Sequence, residues 1–443
     1  VNKLLLSTTL LALLAVPGAA EARKKPKVAP AAPVIARVAP TDPVELYYFQ
    51  RGEAPIWLRS DATRAAAERL STILRRAPID GFAAGPALAA DVDAALAAAV
   101  PGNSAAIRDA ELRLSKAWVA YVQHLRTPPK GMVYGYEMLA PHNRPDQILL
   151  TTAASPDLGA ALTRMSDVNP VYRSLRDAAL ASGMTSADPA LLSNLERARV
   201  LPASGRYALI DAGNAMLTMF ENGQAVDRMK VVVGTPETPT PMIASIIHYA
   251  YLNPYWEVPP ALTKRIIAPG VLKGGDAYLK RNGYEVMTNW TNDATVVPAS
   301  EVNWAALAKD PGLVRVRQRP GPLNSLAGMK IPFPSGQDIF LHDTLDKSKF
   351  AKTNRHLSNG CVRLEDAQRF YRWLHGNAAA PQTKEADVLV KLPQGVPIYL
   401  TYITQEADAT GKLATRGDPY GWDGRPDRQL AAATYTSPTR GAP

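Results

Sequence analysis

Ser358-Asn359-Gly360-Cys361-Val362-Arg363-Leu364 carries the only cysteine of the chain, and a histidine stands nineteen positions upstream in the apolar run Ile339-Phe340-Leu341-His342-Asp343. A thiol behind a glycine and ahead of a helix-forming stretch, with an imidazole on a neighbouring strand, has the parts of an activated cysteine nucleophile. Gly360 permits an unusual dihedral and close backbone approach, while Ser358 and Asn359 are turn formers. A helix expected over 365–375, ended by Gly376, brings the positive end of its dipole toward the sulfur. An imidazole that takes the thiol proton leaves a thiolate–imidazolium pair able to attack a carbonyl. Backbone N–H groups around Asn359, Gly360 and Cys361 can then stabilise the tetrahedral oxyanion.

Two histidines compete for the role of base. His342 ends a strand expected over 337–342, a rigid platform from which its ring can reach Cys361, whereas His356 lies in a loop five residues before the cysteine. His342 is therefore assigned as base, and His356 a substrate-contact or structural role. Adjacent strand residues face opposite sides, so the backbone carbonyl of Asp343, rather than its carboxylate, is expected to orient the imidazole. The six histidines show no HExxH or paired-ligand spacing, so no metal is expected. No P-loop, GxSxG elbow or dinucleotide fingerprint appears, so no cofactor is expected either.

A chain of 443 residues, 47% of them hydrophobic, can bury a sizeable core divided among two or three domains. The net charge of +10 is spread along the chain without a basic cluster interleaved with aromatics, so nucleic acid is not an expected partner. An acidic polymer or surface outside the cytoplasm, or mere solubility, accounts for the charge. Lys3, the apolar stretch 4–16 and the small residues of 17–22 give residues 1–22 the character of a cleavable signal peptide, and place the protein in the periplasm or cell envelope. There a lone cysteine makes no internal disulfide, and is either a buried bystander or a working thiol.

Residues 23–43, rich in Ala and Pro, are expected to form a linker. Apolar positions recur at helical spacing from 44 to 199: Ala66, Leu70, Ile73 and Leu74 behind a cap at Asp61; Leu88, Val92 and Leu96; Leu114, Trp118, Tyr121 and Val122 behind a cap at Ser104; and Val171, Leu175 and Ala179 after Asn169-Pro170. At Arg206 the period becomes alternating, with strands expected over 206–211, 216–220 and 225–234 and a hairpin turn at Asn222-Gly223. Further strands are expected over 246–252 and 396–403. The stretch 259–326, with helices near 261–268 and 300–308, is long for a connection and is expected to be a lid or wall. The fold class is thus α+β, a helical domain over 44–199 followed by a β-rich domain over 200–404. Residues 405–443 form a polar C-terminal extension, disordered over its last fifteen or so residues.

The motif at Cys361, with Leu341-His342-Asp343-Thr344 upstream, resembles the catalytic signature of L,D-transpeptidases, the YkuD-type domain, in the large periplasmic branch that carries a helical scaffold. The same likeness extends to Val232-Val233-Gly234 with Thr238-Pro239-Thr240-Pro241, to Leu252-Asn253-Pro254-Tyr255-Trp256-Glu257-Val258-Pro259-Pro260, and to Arg317-Gln318-Arg319-Pro320-Gly321-Pro322-Leu323-Asn324. Asn194-Leu195-Glu196-Arg197 looks like the family's junction into the catalytic domain. The likeness spans 194–420 well and the helical half weakly.

The resemblance implies an enzyme that cross-links peptidoglycan stem peptides. Cys361 would attack the third-residue carbonyl of a donor tetrapeptide and release the terminal D-alanine, with His342 as base, Gly360 and Cys361 as oxyanion donors, Arg363 as the motif arginine, and the Asp343 carbonyl orienting the ring. The insertion 259–326 resembles a capping subdomain, with Tyr251, Tyr255 and Trp256 at its rim or else packing a strand corner. Ser358, Asn359 and His356 are further candidates for substrate contact. A carbapenem is expected to acylate Cys361, and cell-wall synthesis proteins are candidate partners. Asn359 replaces the histidine or serine of many relatives, Phe340 replaces a tyrosine, and too few residues separate Gly183 from Asn194 for a peptidoglycan-binding module. The alternatives are a hydrolytic relative, an L,D-carboxypeptidase or wall-amide hydrolase using the same site, and a non-catalytic wall-binding scaffold.

Overall fold

Eight strands, some buried on both faces, together make the wall of the β-rich half. They are β1 (Tyr207–Asp211), β2 (Met216–Glu221), β3 (Gln224–Gly234), β4 (Ile243–Leu252), β5 (Met329–Pro332), β6 (Phe340–His342), β7 (Val362–Leu364) and β8 (Val388–Thr401). In this computed structural model, which describes residues 38–433 apart from 292, 309, 311 and 313, they pair in the order β4–β5–β6–β7–β3–β2–β1–β8, and β8 pairs again with β4. The ladder therefore closes on itself, which removes exposed edges. The β6–β7 and β1–β8 pairs are parallel. Asn222 and Gly223, at φ 51 and 79, form the left-handed pair that a two-residue hairpin requires.

Inside the ring lie Ile210, Leu217, Val231, Ile331, Leu341, Val362 and Ile398, and the helix Ala367–Leu374 adds Phe370, Tyr371 and Leu374 to the same core. β8 is longer than its expected 396–403, because its N-terminal part continues along β4. The strand expected over 337–342 shortens to β6, and Asp338, at φ 51, turns the residues ahead of it into a loop.

Eight helices between Pro43 and Ala198 are seen among the described residues, and Leu70, Leu74, Leu114, Trp118 and Val122 bury their common stripes in one core. Two caps fall one residue earlier than expected: Ser60 and Asn103 accept the free N–H groups, and Asp61 and Ser104 are first helical residues. Asp42 caps the helix Pro43–Gln50, so helix already begins where the linker was expected to end. The expected signal peptide over 1–22, and the expected linker up to residue 37, lie outside the described residues. The described residues from Thr41 onward belong to one compact unit.

The insertion has its own core and its own sheet. Strands Trp256–Glu257, Arg315–Gln318, Tyr284–Met287 and Val296–Val297 pair in that order, and cover Val258, Ile267, Val271, Leu279, Trp304 and Val316. Its first helical segment continues past the expected 268 to Arg281, and the second expected helix is reduced to the short turns Ala299–Glu301 and Ala306–Ala308. Asn324 closes the base, donating to the carbonyls of Pro254 and Arg319 at 2.9 Å each.

The C-terminal segment differs most from expectation. Gln405–Ala407 pairs with Leu413–Thr415, a helix runs over Pro426–Ala433, and Tyr420 and Trp422 are buried against Tyr402 with ring centroids 4.9 Å apart. Arg197, itself buried, donates to the Trp422 carbonyl at 2.8 Å, the Asp423 carboxylate at 2.6 Å and Gln429 Oε1 at 2.9 Å. Aromatic burial and this buried arginine hold down a stretch whose average polarity argued for looseness. Residues 434–443 lie outside the described residues.

Candidate active site

Pleating decides which groups meet at the cysteine. Leu341, Val362 and Leu364 point into the barrel core, so their neighbours His342, Cys361 and Arg363 share the outer face. Register extends that face into a row across adjacent strands: Tyr251 on β4 opposes Lys330 on β5, Lys330 opposes His342, and His342 opposes Arg363. The imidazole is thus flanked by two cations. Lys330 was missed from sequence, although a lone cation between Met329 and Ile331 in an apolar strand was a visible signal.

His342 Nδ1 donates to the Asp343 carbonyl at 2.5 Å. A carbonyl only accepts, so the proton sits on Nδ1 and Nε2 keeps its lone pair. The Asp343 carboxylate is engaged elsewhere, accepting from the Thr344 N–H at 2.8 Å and the Lys347 ammonium at 2.7 Å. Burial, then the Arg363 charge, with smaller effects from Lys330 and Lys347, brings the His342 pKa down to about 3. Burial pushes the Cys361 thiol up to about 11, against a hydrogen bond from the Phe340 backbone and the charges of Lys330 and Arg363. The thiol donates to the Asp338 carbonyl at 3.7 Å, and among the described residues no hydrogen bond joins it to the imidazole. Both shifts favour the neutral thiol and the neutral imidazole over the expected ion pair, because burial penalises the charged forms.

The expected helix dipole does not act on the sulfur. β7 intervenes, and the helix Ala367–Leu374 is capped by the Asp366 carboxylate. An extended path from residue 361 to residue 366 covers on the order of 10 Å or more, beyond the reach of a terminal dipole.

Gly360 adopts φ 107, and a Cβ there would approach Ile339 Cδ1 to 3.1 Å. Its carbonyl accepts from Thr240 Oγ1 at 2.7 Å, and its N–H donates to Ser358 Oγ at 3.2 Å. The expected oxyanion role of that N–H is corrected by this inward contact. The Ser358 hydroxyl, also buried, donates to the Cys361 carbonyl at 2.6 Å, so it braces the loop from within and does not face substrate. Behind this loop Gly234 N–H donates to Thr240 Oγ1 at 2.9 Å, Tyr420 Oη donates to the Gly234 carbonyl at 2.9 Å, and Thr240 N–H donates to Tyr420 Oη at 3.2 Å. Thr240 and Tyr420 gave no sequence signal for this role.

His356 is structural. Its Nε2–H donates to the Ala212 carbonyl at 2.8 Å, the Asn354 side chain meets Nδ1 at 3.0 Å, and the ring stands edge-on to Tyr420 at 5.4 Å. Asn359 is exposed, and its Oδ1 accepts from the guanidinium of Arg265 in the insertion. Of the three aromatics, Tyr251 shares the face of the row. Tyr255 lies under the Arg317 guanidinium at 4.2 Å, and Trp256 pairs with Gln318 and packs on the insertion's core. These two build the cap.

Cys361 opens on a cavity of about 90 Å³ shared with Pro239, Arg265, Asp338, Ile339 and Asn359. A second cavity of about 300 Å³, beyond the 337–339 loop, holds Lys330, Phe340, Glu257 and Trp290. Another cavity, about 510 Å³, lies where the helix Pro170–Ala181 meets the outer faces of β1 and β2, and contains neither Cys361 nor His342.

Residues 205–398 match the L,D-transpeptidase catalytic domain, YkuD, and residues 42–178 match the Scaffold domain. A protein of Haemophilus influenzae named "Putative L,D-transpeptidase" is 26% identical over 321 residues, which is 69% of this chain and 64% of that protein. The chain thus spans less than two thirds of that relative's length. A solved structure of the Ldtfm–avibactam carbamoyl enzyme is 10% identical, covering 46% of this chain and 50% of its own, with a TM-score of 0.23. An L,D-transpeptidase from Mycobacterium smegmatis is 12% identical, covering 45% and 59%, with a TM-score of 0.22. Likeness at that level adds nothing to the fold already described.

Proposed function

The chain carries a YkuD-type L,D-transpeptidase catalytic domain preceded by a Scaffold domain, and we propose that it cross-links peptidoglycan stem peptides through a thioacyl intermediate on Cys361. The observation that carries this reading is the shared outer face of Cys361 and His342, with the Nε2 lone pair free and the ring held by the Asp343 carbonyl.

Cys361 Sγ attacks the third-residue carbonyl of the donor tetrapeptide while its proton passes to His342 Nε2. A base this weakly basic accepts the proton only as the S–C bond forms, so attack and transfer are concerted. The oxyanion is stabilised by the Cys361 N–H, with Lys330 and Arg363 supplying positive field. Collapse breaks the C–N bond, and the imidazolium, made strongly acidic by the same burial, gives its proton to the departing D-alanine amine. An acceptor amine then attacks the thioester, loses its proton to Nε2, and breaks the C–S bond, and Sγ recovers the proton. The lysine and arginine beside the histidine suit a substrate rich in carboxylates. Action in the cell envelope follows from that substrate class.

Incubation with disaccharide-tetrapeptide, followed by mass spectrometry, tests the reading. The expected products are a cross-linked dimer and free D-alanine, with a thioacyl adduct on Cys361 and the corresponding adduct from a carbapenem. Tripeptide alone supports hydrolysis in place of transfer. Activity retained by Cys361→Ala rules out the nucleophile.

A further inference from the structure

Arg265 lies in the π-helical turn Thr263–Ile267 at the start of the insertion, a backbone form that recurs at functional sites. Thr263 and Ile267 are buried and anchor the turn, while Lys264, Arg265 and Ile266 project outward. Arg265 reaches across the cleft to Asn359 Oδ1, in the loop that presents the nucleophile, and lines the same cavity as Cys361. Among the described residues no carboxylate pairs with it. A guanidinium donating through one N–H to a single amide oxygen leaves its fork without the bidentate partner that a carboxylate supplies.

Arg265 and Asn359 both line the cavity on which Cys361 opens, so a stem peptide whose carbonyl reaches the thiol passes between them. Resting on the acyl-transfer reading of Cys361, we propose that Arg265 is a specificity residue that exchanges the Asn359 amide for a substrate carboxylate adjacent to the scissile bond. The residues it leaves and joins differ in charge, so the exchange favours donors with a free carboxylate there over amidated ones. Two carboxylates of a stem peptide have this chemistry: that of the departing terminal residue, and that on the side chain of the third-position diamino acid.

Full-length protein and its Arg265→Gln and Arg265→Lys variants are each given three donors: the free acid, the C-terminal amide, and the side-chain amide. Thioacyl formation on Cys361 is followed by intact mass. Arg265→Gln is expected to lose about ten-fold or more in kcat/KM, through KM, on the free acid. On the amide that lacks the recognised carboxylate it should match the unsubstituted protein, which identifies that carboxylate. Arg265→Lys should recover part of the loss. An equal loss on all three donors, or no loss on any, overturns the proposal. Absence of any thioacyl adduct in the unsubstituted protein defeats the acyl-transfer reading instead. Calorimetric binding of the same donors to Cys361→Ala, with and without Arg265→Gln, then decides the role of Arg265: a free-acid preference lost with the arginine supports it, and no difference overturns it.

Discussion

Titration of the thiol separates a neutral site from a preformed ion pair. Burial raises the Cys361 pKa to about 11 and lowers that of His342 to about 3. A raised thiol pKa means that thiolate appears only as pH climbs toward that value. A lowered imidazole pKa means that the ring stays neutral through the range where an ordinary histidine titrates, near about 6.5. At about pH 8 the thiolate fraction is roughly 0.1%, against about a quarter for an unperturbed thiol of pKa ~8.5, so alkylation should run about 200-fold slower in the folded than in the denatured chain. The single cysteine makes iodoacetamide modification, read by intact mass, specific to this site. The logarithm of the rate is expected to rise with a slope near one through about pH 10. His342→Ala should leave alkylation within about two-fold while abolishing acyl transfer, because a neutral ring does not stabilise the resting thiolate. A rate plateau below about pH 8, lost in His342→Ala, would refute the neutral pair and restore the thiolate–imidazolium.

Three substitutions probe the supports of the loop. Tyr420→Phe removes the oxygen that serves Gly234 and Thr240 and should cost about 2–4 kcal/mol in urea unfolding, with slower acylation of Cys361; a change below about 0.5 kcal/mol would deny the contact its role. Gly360→Ala forces a side chain onto φ 107 and against Ile339, for an expected loss of about 1–3 kcal/mol and most acyl transfer, and unchanged melting and rate would show that the loop adapts freely. Arg197→Met removes the buried guanidinium from the Asp423 carboxylate and the carbonyls of Tyr402 and Trp422, so the denaturation midpoint should fall by the equivalent of about 3–5 kcal/mol; an unshifted midpoint contradicts the buried clamp.

Much of the geometry around Cys361 was legible because it is local. The glycine–cysteine turn and the parity of 341, 342 and 343 could be read from a few adjacent residues, and a helical half followed by a β-rich half showed as a change of period at Arg206. Pairings between distant segments left no such mark. Ring closure depends on β8 meeting both β1 and β4, and the row of Tyr251, Lys330, His342 and Arg363 exists only once four strands are in register. The insertion's sheet is built from strands of two to four residues, too short to show a period. Ser358 and His356 carry side chains typical of active sites, and only the packed structure reveals that they face inward. The local argument also placed a helix end at the sulfur, where the chain instead spends three residues in the barrel wall.

The phenol behind Thr240 belongs to a residue beyond the last strand of the barrel. During synthesis the thiol and all eight strands emerge first, since β8 ends at Thr401, and the brace for the Cys361 loop arrives only with Tyr420. A chain broken off between these points keeps every strand of its ring but lacks the part that holds the thiol in position. Cleavage within 405–419 in the finished protein would likewise loosen that brace without touching the cleft. Competence at Cys361 is in this sense a completion signal, tied to the integrity of a tail that takes no part in the chemistry.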